Sequence, residues 1–555
     1  MNHPLASSSV PIEKPALSYY LKDYNECLAQ ILVSKKDDLN YVSSPTLNRQ
    51  ESLTHFYEKI EKYRQIRAFL ERTGRSVCLE GKDAWLYPFL KREFPKLIST
   101  AEPRPNMLVQ FLVFFKTWLK LFTKSLVIYL LGRFVKDRFR GDEEAVLRTY
   151  FDHRCVRKDG TLREEYFGEF TDDLGKNKKV LVIYKFMSAK DIKPYAQAGQ
   201  SLHFSWVSFE NYIGLIPIIG AYLRFLFSRS RVKHPCLYRG VDIVPLLNQS
   251  MLDDFWECRN LGVYLEVYAA SKVLKGPFKQ FFYPYENQPW EKIYPLLKHQ
   301  MKSSTEIVGF QHTGVSYKLL NYFPTALETS CPFFPDRILT VGDTLSKVLQ
   351  SDAHYPCPIH TGAALRHQKY VQAGSFQFHK PAPYVQGAVA YAFSYDISNY
   401  RAILEALIRC FGDSKLKVYL KMHPDYDEDV LIRAMKLHLP GNFILAQRYS
   451  WIELSKLVDC IFYDDNSIGL EGLIQGIKTF YFSEADPIYH SERMFGFTLW
   501  KTDVDEGAMR TIRDEIEAET FQKTWDPHLS ECYIRDYYHA YDGQASYSVF
   551  VGTNT

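Results

Sequence analysis

The sequence predicts an α/β protein of two doubly wound lobes facing an interdomain cleft, with helical additions at the N-terminus. Two observations predict it. Between residues 385 and 485, short apolar runs alternate with helical patterns, the signature of a parallel sheet with crossover helices. A looser form of the same alternation runs from Lys179 to Phe310. The length of 555 residues leaves room for two such lobes and additions, at ~100–200 residues per domain.

Composition narrows the class. Hydrophobic residues at 46% and charged residues at 24% are ordinary for a chain that buries a large core. Aromatic residues reach 15%, and their flat faces suit a sugar- or base-binding protein as well as a core. A net charge of +4 is too small to argue for a nucleic-acid partner, and none is expected. The ten cysteines lie singly, from Cys27 to Cys532. With no CxxC pair and no Cys/His cluster at zinc spacing, they read as buried free thiols of a reducing compartment, and no metal site is expected. The opening MNHPLASSSVPIEKP lacks a signal-peptide layout, so a cytoplasmic protein is expected.

The elements follow in order. Residues 1–16 form a lead-in, and 17–330 an N-terminal acceptor half. Within it, Arg49–Arg72 carries apolar residues at helical spacing (Leu53, Phe56, Tyr57, Ile60, Tyr63, Ile66, Phe69). Insertions at 107–140 and 212–234 face a membrane. Met107–Gly132 is long enough to span a bilayer, but Lys116, Lys120 and Lys124 recur every fourth residue on one face. Three buried lysines would cost roughly 2.5–3.5 kcal/mol each at the bilayer centre. A helix lying in the interface with its lysines snorkelling avoids that cost; a buried amphipathic helix is the alternative. Arg133, Lys136, Arg138 and Arg140 follow it. Tyr212–Phe227 is likewise apolar and trailed by Arg229, Arg231 and Lys233. Strands are expected at Lys179–Tyr184, Phe204–Val207, Val241–Leu246, Gln280–Tyr285 and Glu306–Phe310, with a helix over Trp290–Lys302. Residues 331–500 form the C-terminal nucleotide-sugar-binding half. Its strands are expected at Arg337–Val341, Gly387–Phe393, Leu416–Lys421, Phe443–Leu445, Cys460–Tyr463 and Thr479–Phe482. Residues 501–555 are expected to be helices packing back on the N-terminal half.

Ligands of doubly wound sheets sit outside the carboxyl ends of the strands, and three motifs fall there. Strand LKVYLK ends at Lys421-Met422-His423-Pro424, where proline stops the strand and an imidazole can donate to a phosphate or ribose. Strand CIFY opens into Asp464-Asp465-Asn466-Ser467-Ile468-Gly469-Leu470-Glu471, with Ser467 as N-cap of the next helix and Glu471 one turn in. A helix N-terminus offers free N–H groups to phosphate; an ordinary serine cap is the bland alternative. The spacing of His423 and Ser467 places them on neighbouring strands. The third motif pairs Tyr283-Pro284-Tyr285-Glu286-Asn287-Gln288-Pro289-Trp290-Glu291 with Gly309-Phe310-Gln311-His312-Thr313-Gly314, after successive strands of the first half.

The run from Lys-x-His-Pro to VDCIFYDDNSIGLEGLIQGIKTFYF resembles the donor half of GT-B-type bacterial glycosyltransferases, enzymes with two Rossmann-like lobes. It is similar to the group that uses cytidine nucleotides: sialyl- and polysialyltransferases, Kdo transferases of capsule and O-antigen (lipopolysaccharide) assembly, and glycerophosphotransferases. The likeness covers about 100 residues. It implies that His423 and Ser467 hold the nucleotide phosphate and that Glu471 binds ribose. From its place at the strand end Lys421 would add charge near the phosphate, and Pro424, Asn466 and Gly469 are expected in the same site. A single Ser467 stands where several relatives carry a Ser/Thr pair, which leaves the nucleotide open between CMP and others.

Transfer needs a general base for the acceptor hydroxyl, or a carboxylate nucleophile in a double displacement. Glu286 is the first choice, with His312 steadying the departing phosphate or a sugar carboxylate; Asp152 and Asp343 are in reserve. Glu286 and Glu291 as solvated loop and helix-start charges are the alternative. No convincing DxD motif, GxGxxG or P-loop is present. The expected function is therefore metal-independent, cofactor-free transfer from a nucleotide sugar to a surface-glycan or lipid-linked acceptor at the inner-membrane surface. Two other readings stay open: a sugar-nucleotide epimerase of similar shape, and a non-catalytic glycan-binding or assembly protein.

Overall fold

The computed structural model describes residues 17–100, 107–133, 141–151, 153–157, 160–186, 191–197, 203–315, 319–368, 387–394, 397, 400–423, 426, 432–433, 435, 437–464, 466, 468–469, 472, 477–482, 503–521 and 535–552. The chain opens with α1 (Leu17–Ser34) and α2 (Phe56–Thr73). The latter buries Phe56, Tyr57, Ile60, Tyr63, Ile66 and Leu70, so the apolar stripe read from the sequence faces a core. Leu53, at the start of that stripe, is exposed instead. These additions are keyed to the first lobe by charge. Arg49, fully buried, donates to both carboxylate oxygens of Glu328 at 2.8 Å. Cys27 and Cys236 are joined in a disulfide, which corrects the expectation of free thiols for these two, while Cys78, Cys155, Cys258, Cys331, Cys357, Cys410 and Cys460 are free. The bonded pair lies 209 residues apart, and only the packing of α1 beside the hairpin Leu237–Asp242 brings the two together.

α3 (Met107–Gly132) lies along the first lobe, burying Phe114, Ser125, Ile128 and Gly132. It packs beside α4 (Leu215–Leu226), where Phe114, Trp118 and Phe122 meet the rings of Phe225 and Tyr222. Gly132 is where Asn211 comes in; a Cβ there would lie 2.0 Å from its side-chain oxygen. Among the described residues no helix is long and apolar enough to cross a membrane. The three lysines do not act alike. Lys116 and Lys120 are exposed, whereas Lys124 turns inward and donates to the Phe186 carbonyl at 3.2 Å.

The first lobe is a parallel sheet of β1 (Ala145–Phe151), β2 (Val180–Phe186), β3 (Ser205–Ser208), β4 (Gln280–Pro284), β5 (Glu306–Phe310), β6 (Arg337–Thr340) and β7 (Ile359–Thr361). Its spatial order is β7-β6-β5-β4-β1-β2-β3. Both faces are covered by cores, one holding Leu147, Val182 and Phe282, the other Val146, Leu181 and Phe281. That two-sided burial is why these strands read as unbroken apolar runs. Helices α5 (Val244–Trp256), α6 (Leu261–Lys275), α7 (Pro289–Met301) and α8 (Asp343–Asp352) belong to the same lobe.

Three expectations are corrected here. β1 was not foreseen, because AVLRTYF carries Arg148 and Thr149 in its middle, both fully buried. The expected strand Val241–Leu246 shrinks to Val241–Asp242, with α5 starting at Val244. Pro245 suits that first helical turn and not a strand interior. The division at 330/331 also moves. Arg337–Thr340 pairs with β5 and Ile359–Thr361 with β6, so both strands complete the first sheet and the chain changes lobes after Gln368.

The second lobe holds β8 (Ala388–Ala392), β9 (Lys417–Lys421), β10 (Phe443–Leu445), β11 (Cys460–Tyr463), β12 (Lys478–Phe482) and β13 (Asp503–Val504). All are parallel, in the order β10-β9-β8-β11-β12-β13. α9 (Tyr400–Phe411) covers one face, and α10 (Glu506–Glu517) packs on it. β13 and α10 thus belong to the second lobe, which corrects the expectation that 501–555 packs as a whole on the first. The last helix, α11 (Gln544–Val551), does sit on the first lobe. Arg337 donates to the carbonyls of Val549 and Phe550 at 3.0 and 2.7 Å. Both sheets reverse their winding at the first strand of the lobe, between β1 and β4 and between β8 and β11. A crevice for a ligand opens at the carboxyl ends of such a pair.

Candidate functional site

Glu286 stands at the switch point of the first sheet, two residues past the end of β4. The turn that carries it is fixed by other side chains. Tyr285 N–H still bonds to Phe310 across the sheet at 2.7 Å. Asn287 adopts a left-handed conformation (φ 55°) and donates to the Asn321 carbonyl at 2.7 Å, while Asn321 donates back to the Glu286 carbonyl. Tyr322 donates its hydroxyl to the Tyr285 carbonyl at 3.1 Å. Gln288 and Glu291 then form a capping box that opens α7. The Glu291 carboxylate accepts from the N–H groups of Glu286 (2.9 Å) and Gln288 (3.2 Å). Glu291 is therefore a helix-start carboxylate, but a buried one and not the solvated charge of the alternative, and it holds Glu286 in place.

The Glu286 side chain remains 24% exposed. One of its oxygens accepts from the Gln288 amide, and the other lies 3.8 Å from Nε2 of His312, at the end of neighbouring β5. Burial raises the Glu286 carboxyl, opposed by hydrogen bonds from Gln288 and Thr313 and by the charge of Arg366. Burial pushes His312 well below its ordinary range, helped by Arg366 and His367. At neutral pH the imidazole is uncharged, so the pair is a carboxyl group beside a neutral ring and not an ion pair. His312 meets Tyr166 edge-on at 5.2 Å, and Arg366 lies over the Tyr166 ring at 5.1 Å.

A buried chain of contacts backs this pair. Gln288 accepts from the Trp290 indole N–H at 3.0 Å. The Arg148 guanidinium lies 3.9 Å from the Trp290 ring centre and 4.5 Å from that of Tyr150. Arg148 in turn donates to Glu266 at 2.6 Å, which also accepts from Lys185 and Tyr294 at 2.8 Å each. The two cations hold Glu266 below the usual carboxylate range against its burial.

In the second lobe the switch point is bridged by two acidic-turn residues. Asp464 accepts from the N–H and hydroxyl of Ser394 at 2.7 and 2.6 Å, tying the ends of β11 and β8. Asn466 donates to the Ala392 carbonyl and accepts from Ile468 N–H, both at 2.9 Å. The start of the following helix is thus held by Asn466. Gly469 allows that helix to approach β11, since a Cβ there would lie 2.4 Å from the Tyr463 ring. His423 is half-buried after β9, its ring 6.2 Å from that of Tyr426. Lys421 does not point its ammonium at an open crevice. It donates to the Tyr449 carbonyl at 2.6 Å and lies 5.5 Å from the Trp451 ring centre. The motifs carrying His423 and Asn466 are not on neighbouring strands as the spacing suggested, because β8 runs between β9 and β11. Pro424, Ser467 and Glu471 lie outside the described residues, as does Asp152. Asp343, held in reserve, accepts from Thr361 at 2.6 Å and sits 3.4 Å from His539.

No family model matches the chain, and no curated protein matches its sequence. Among solved structures it is similar to the calicheamicin glycosyltransferase CalG4 at 11% identity, over 71% of this chain and 93% of that one (TM-score 0.38). It is similar to the wall teichoic acid polymerase TagF at 12% identity, over 80% and 97% (TM-score 0.35). It is also similar to the Methanocaldococcus jannaschii UDP-GlcNAc 2-epimerase in complex with UDP-GlcNAc and UDP, at 9% identity over 70% and 98% (TM-score 0.39). Likenesses of this depth assign no substrate to the chain.

Several residues of the first-lobe site carry no sequence signal. Asn321 and Tyr322 reach it from one short 3-10 turn (Leu320–Tyr322), Arg366 from another (Leu365–His367), Tyr166 from a third segment, and Arg148 from a strand hidden by its own charge. The left-handed Asn287 is the one feature a sequence reader could have weighed, since asparagine tolerates that conformation better than most residues.

Proposed function

We propose that the protein is a glycosyltransferase that moves a sugar from a nucleotide-activated donor to a surface-glycan or lipid-linked acceptor at the inner-membrane surface. The observation that carries this reading is Glu286: a partly exposed carboxylate with a raised pKa, at a switch point, beside a neutral His312. A base of that kind takes a proton from an acceptor hydroxyl near neutral pH more readily than an ordinary glutamate. In the proposed reaction Glu286 accepts the hydroxyl proton as the acceptor oxygen bonds to the anomeric carbon. The bond from that carbon to the nucleotide phosphate oxygen breaks, and the electron pair leaves with the phosphate.

The donor phosphate is proposed to sit in the second lobe, over His423 and the helix beginning near Ser467 and Gly469, with Glu471 on the ribose. The Lys-x-His-Pro and DDNSIGLEG likeness supports that part, with a CMP-linked donor the first to try. Lys421, engaged by backbone carbonyls, is proposed to support the wall of this site. No resident metal or cofactor is proposed; helix-start N–H groups and protein cations would take the leaving-group charge.

Purified protein with CMP-, CDP- and UDP-sugars tests the reading. Transfer or slow hydrolysis of at least one, lost in Glu286→Gln, is expected. Interconversion of a nucleotide sugar to its epimer without acceptor would favour the epimerase instead. Failure to bind any of them would favour a non-catalytic glycan-binding or assembly role.

A further inference from the structure

Helices α3 and α4 present an apolar surface that nothing among the described residues covers. At the start of α3, Met107, Leu108, Phe111 and Leu112 are all more than half exposed, the first at 77%. Just past the end of α4, which runs antiparallel to α3, Phe227 is 83% exposed; along α4 Leu223 is exposed, and Ile216, toward the far end of the pair, is 83% exposed. The two helices run side by side through Phe114, Trp118 and Phe122 against Phe225 and Tyr222, so these side chains emerge from one docked pair. Soluble surfaces rarely leave so many large apolar groups together without a partner.

The surrounding charge says what that partner is. Neither 107–132 nor 211–241 contains an aspartate or glutamate. The exposed basic residues of the pair and its flank include Lys116, Lys120, Arg133, Arg224, Arg229, Arg231 and Lys233, and the acids that border them are Asp37 and Asp38, which line a pocket with Arg224 and Phe227. Arg229 is held at the rim, 4.6 and 4.9 Å from the ring centres of Phe255 and Trp256. A second copy of the same face would set cations against cations. A monolayer with anionic headgroups accepts apolar side chains beneath and cations at headgroup level, where Lys116 and Lys120 can snorkel.

We infer that α3 and α4 together form a docking surface for an anionic phospholipid bilayer, with the apolar side chains of Met107–Leu112, Ile216, Leu223 and Phe227 inserted into one leaflet. The inference extends the membrane part of the proposed function. Its test needs no nucleotide sugar, so its failure and that of the transfer reading are separable.

The full chain is co-sedimented with vesicles of phosphatidylcholine alone and of phosphatidylcholine mixed with phosphatidylglycerol. At least tenfold tighter binding to the mixed vesicles is expected, weakening as salt is raised. The double variant Ile216→Ser/Phe227→Ser, at two positions each 83% exposed, should lose about tenfold, as should Lys116→Glu/Lys120→Glu. Thermal unfolding of each variant checks the fold. Absence of binding to the mixed vesicles, or equal binding by the serine variant, would overturn the inference. So would a dimer of the wild type that the serine variant dissociates, since the face would then belong to a second copy.

Discussion

Glu286 and Glu291 show how position decides what one residue type does. They lie five residues apart and both carboxyls are raised by burial, that of Glu291 also by the charge of Glu286. Glu291 accepts from two backbone N–H groups on one oxygen and shapes the turn. Glu286 keeps part of its surface open and faces a neutral imidazole. The raised folded pKa of Glu286 means that the fold binds its proton more tightly than the unfolded chain does. Its stabilising effect is therefore present at low pH and lost as pH rises through the folded value. Glu286→Gln should accordingly raise the melting temperature at neutral pH while leaving acid stability little changed, a comparison differential scanning fluorimetry can make. For the same reason the acid limb of kcat/KM should lie above the ordinary glutamate range of about 4.3. A limb at or below that value would separate the catalytic step from Glu286. Glu286 was legible as a candidate, and Glu291 as a helix-start charge, because a polar turn after an apolar strand shows in the sequence. What fixes the Glu286 turn was not legible, since Asn321, Tyr322 and Gln288 act through contacts made after folding.

At the scale of elements, unbroken apolar runs such as Cys460–Tyr463 and Glu306–Phe310 made their strands legible from sequence. β1 was missed for a physical reason. Arg148 in its middle is matched by Glu266, 118 residues away, and no local pattern announces that pair. Removing one partner leaves a buried charge uncompensated. Glu266→Ala should cost about 3–5 kcal/mol, measured as a fall in the urea midpoint. It should also slow the reaction, by loosening the Arg148–Trp290–Gln288 support behind Glu286. Glycine 469 makes a similar point in the second lobe. Gly469→Ala would drive a methyl into Tyr463, and overpacking of this kind costs about 1–3 kcal/mol. Nucleotide affinity should fall with it, while the fluorescence of Trp290 in the first lobe stays unchanged. Affinity and midpoint both equal to wild type would show that the helix after β11 has room to move away.

For the whole molecule, the same winding order appears twice, first strand central and later strands turning to the other side. The alternation of strands and helices made the two lobes legible, but the point where the chain leaves the first was not. β6 and β7 continue the rhythm without interruption, and only their hydrogen bonds to β5 and to each other assign them to the first sheet. The same holds for the C-terminal segment, which serves the second lobe with β13 and α10 and returns to the first with α11. Two switch points suit one reaction if the second lobe holds the nucleotide and Glu286 in the first acts on the acceptor. Glu286→Gln tests that division most directly, with nucleotide binding measured by calorimetry beside transfer measured by product formation. The account predicts unchanged nucleotide affinity with kcat lower by about 10²–10⁴-fold, the contribution of a positioned base. Undiminished transfer by the Gln variant would contradict it.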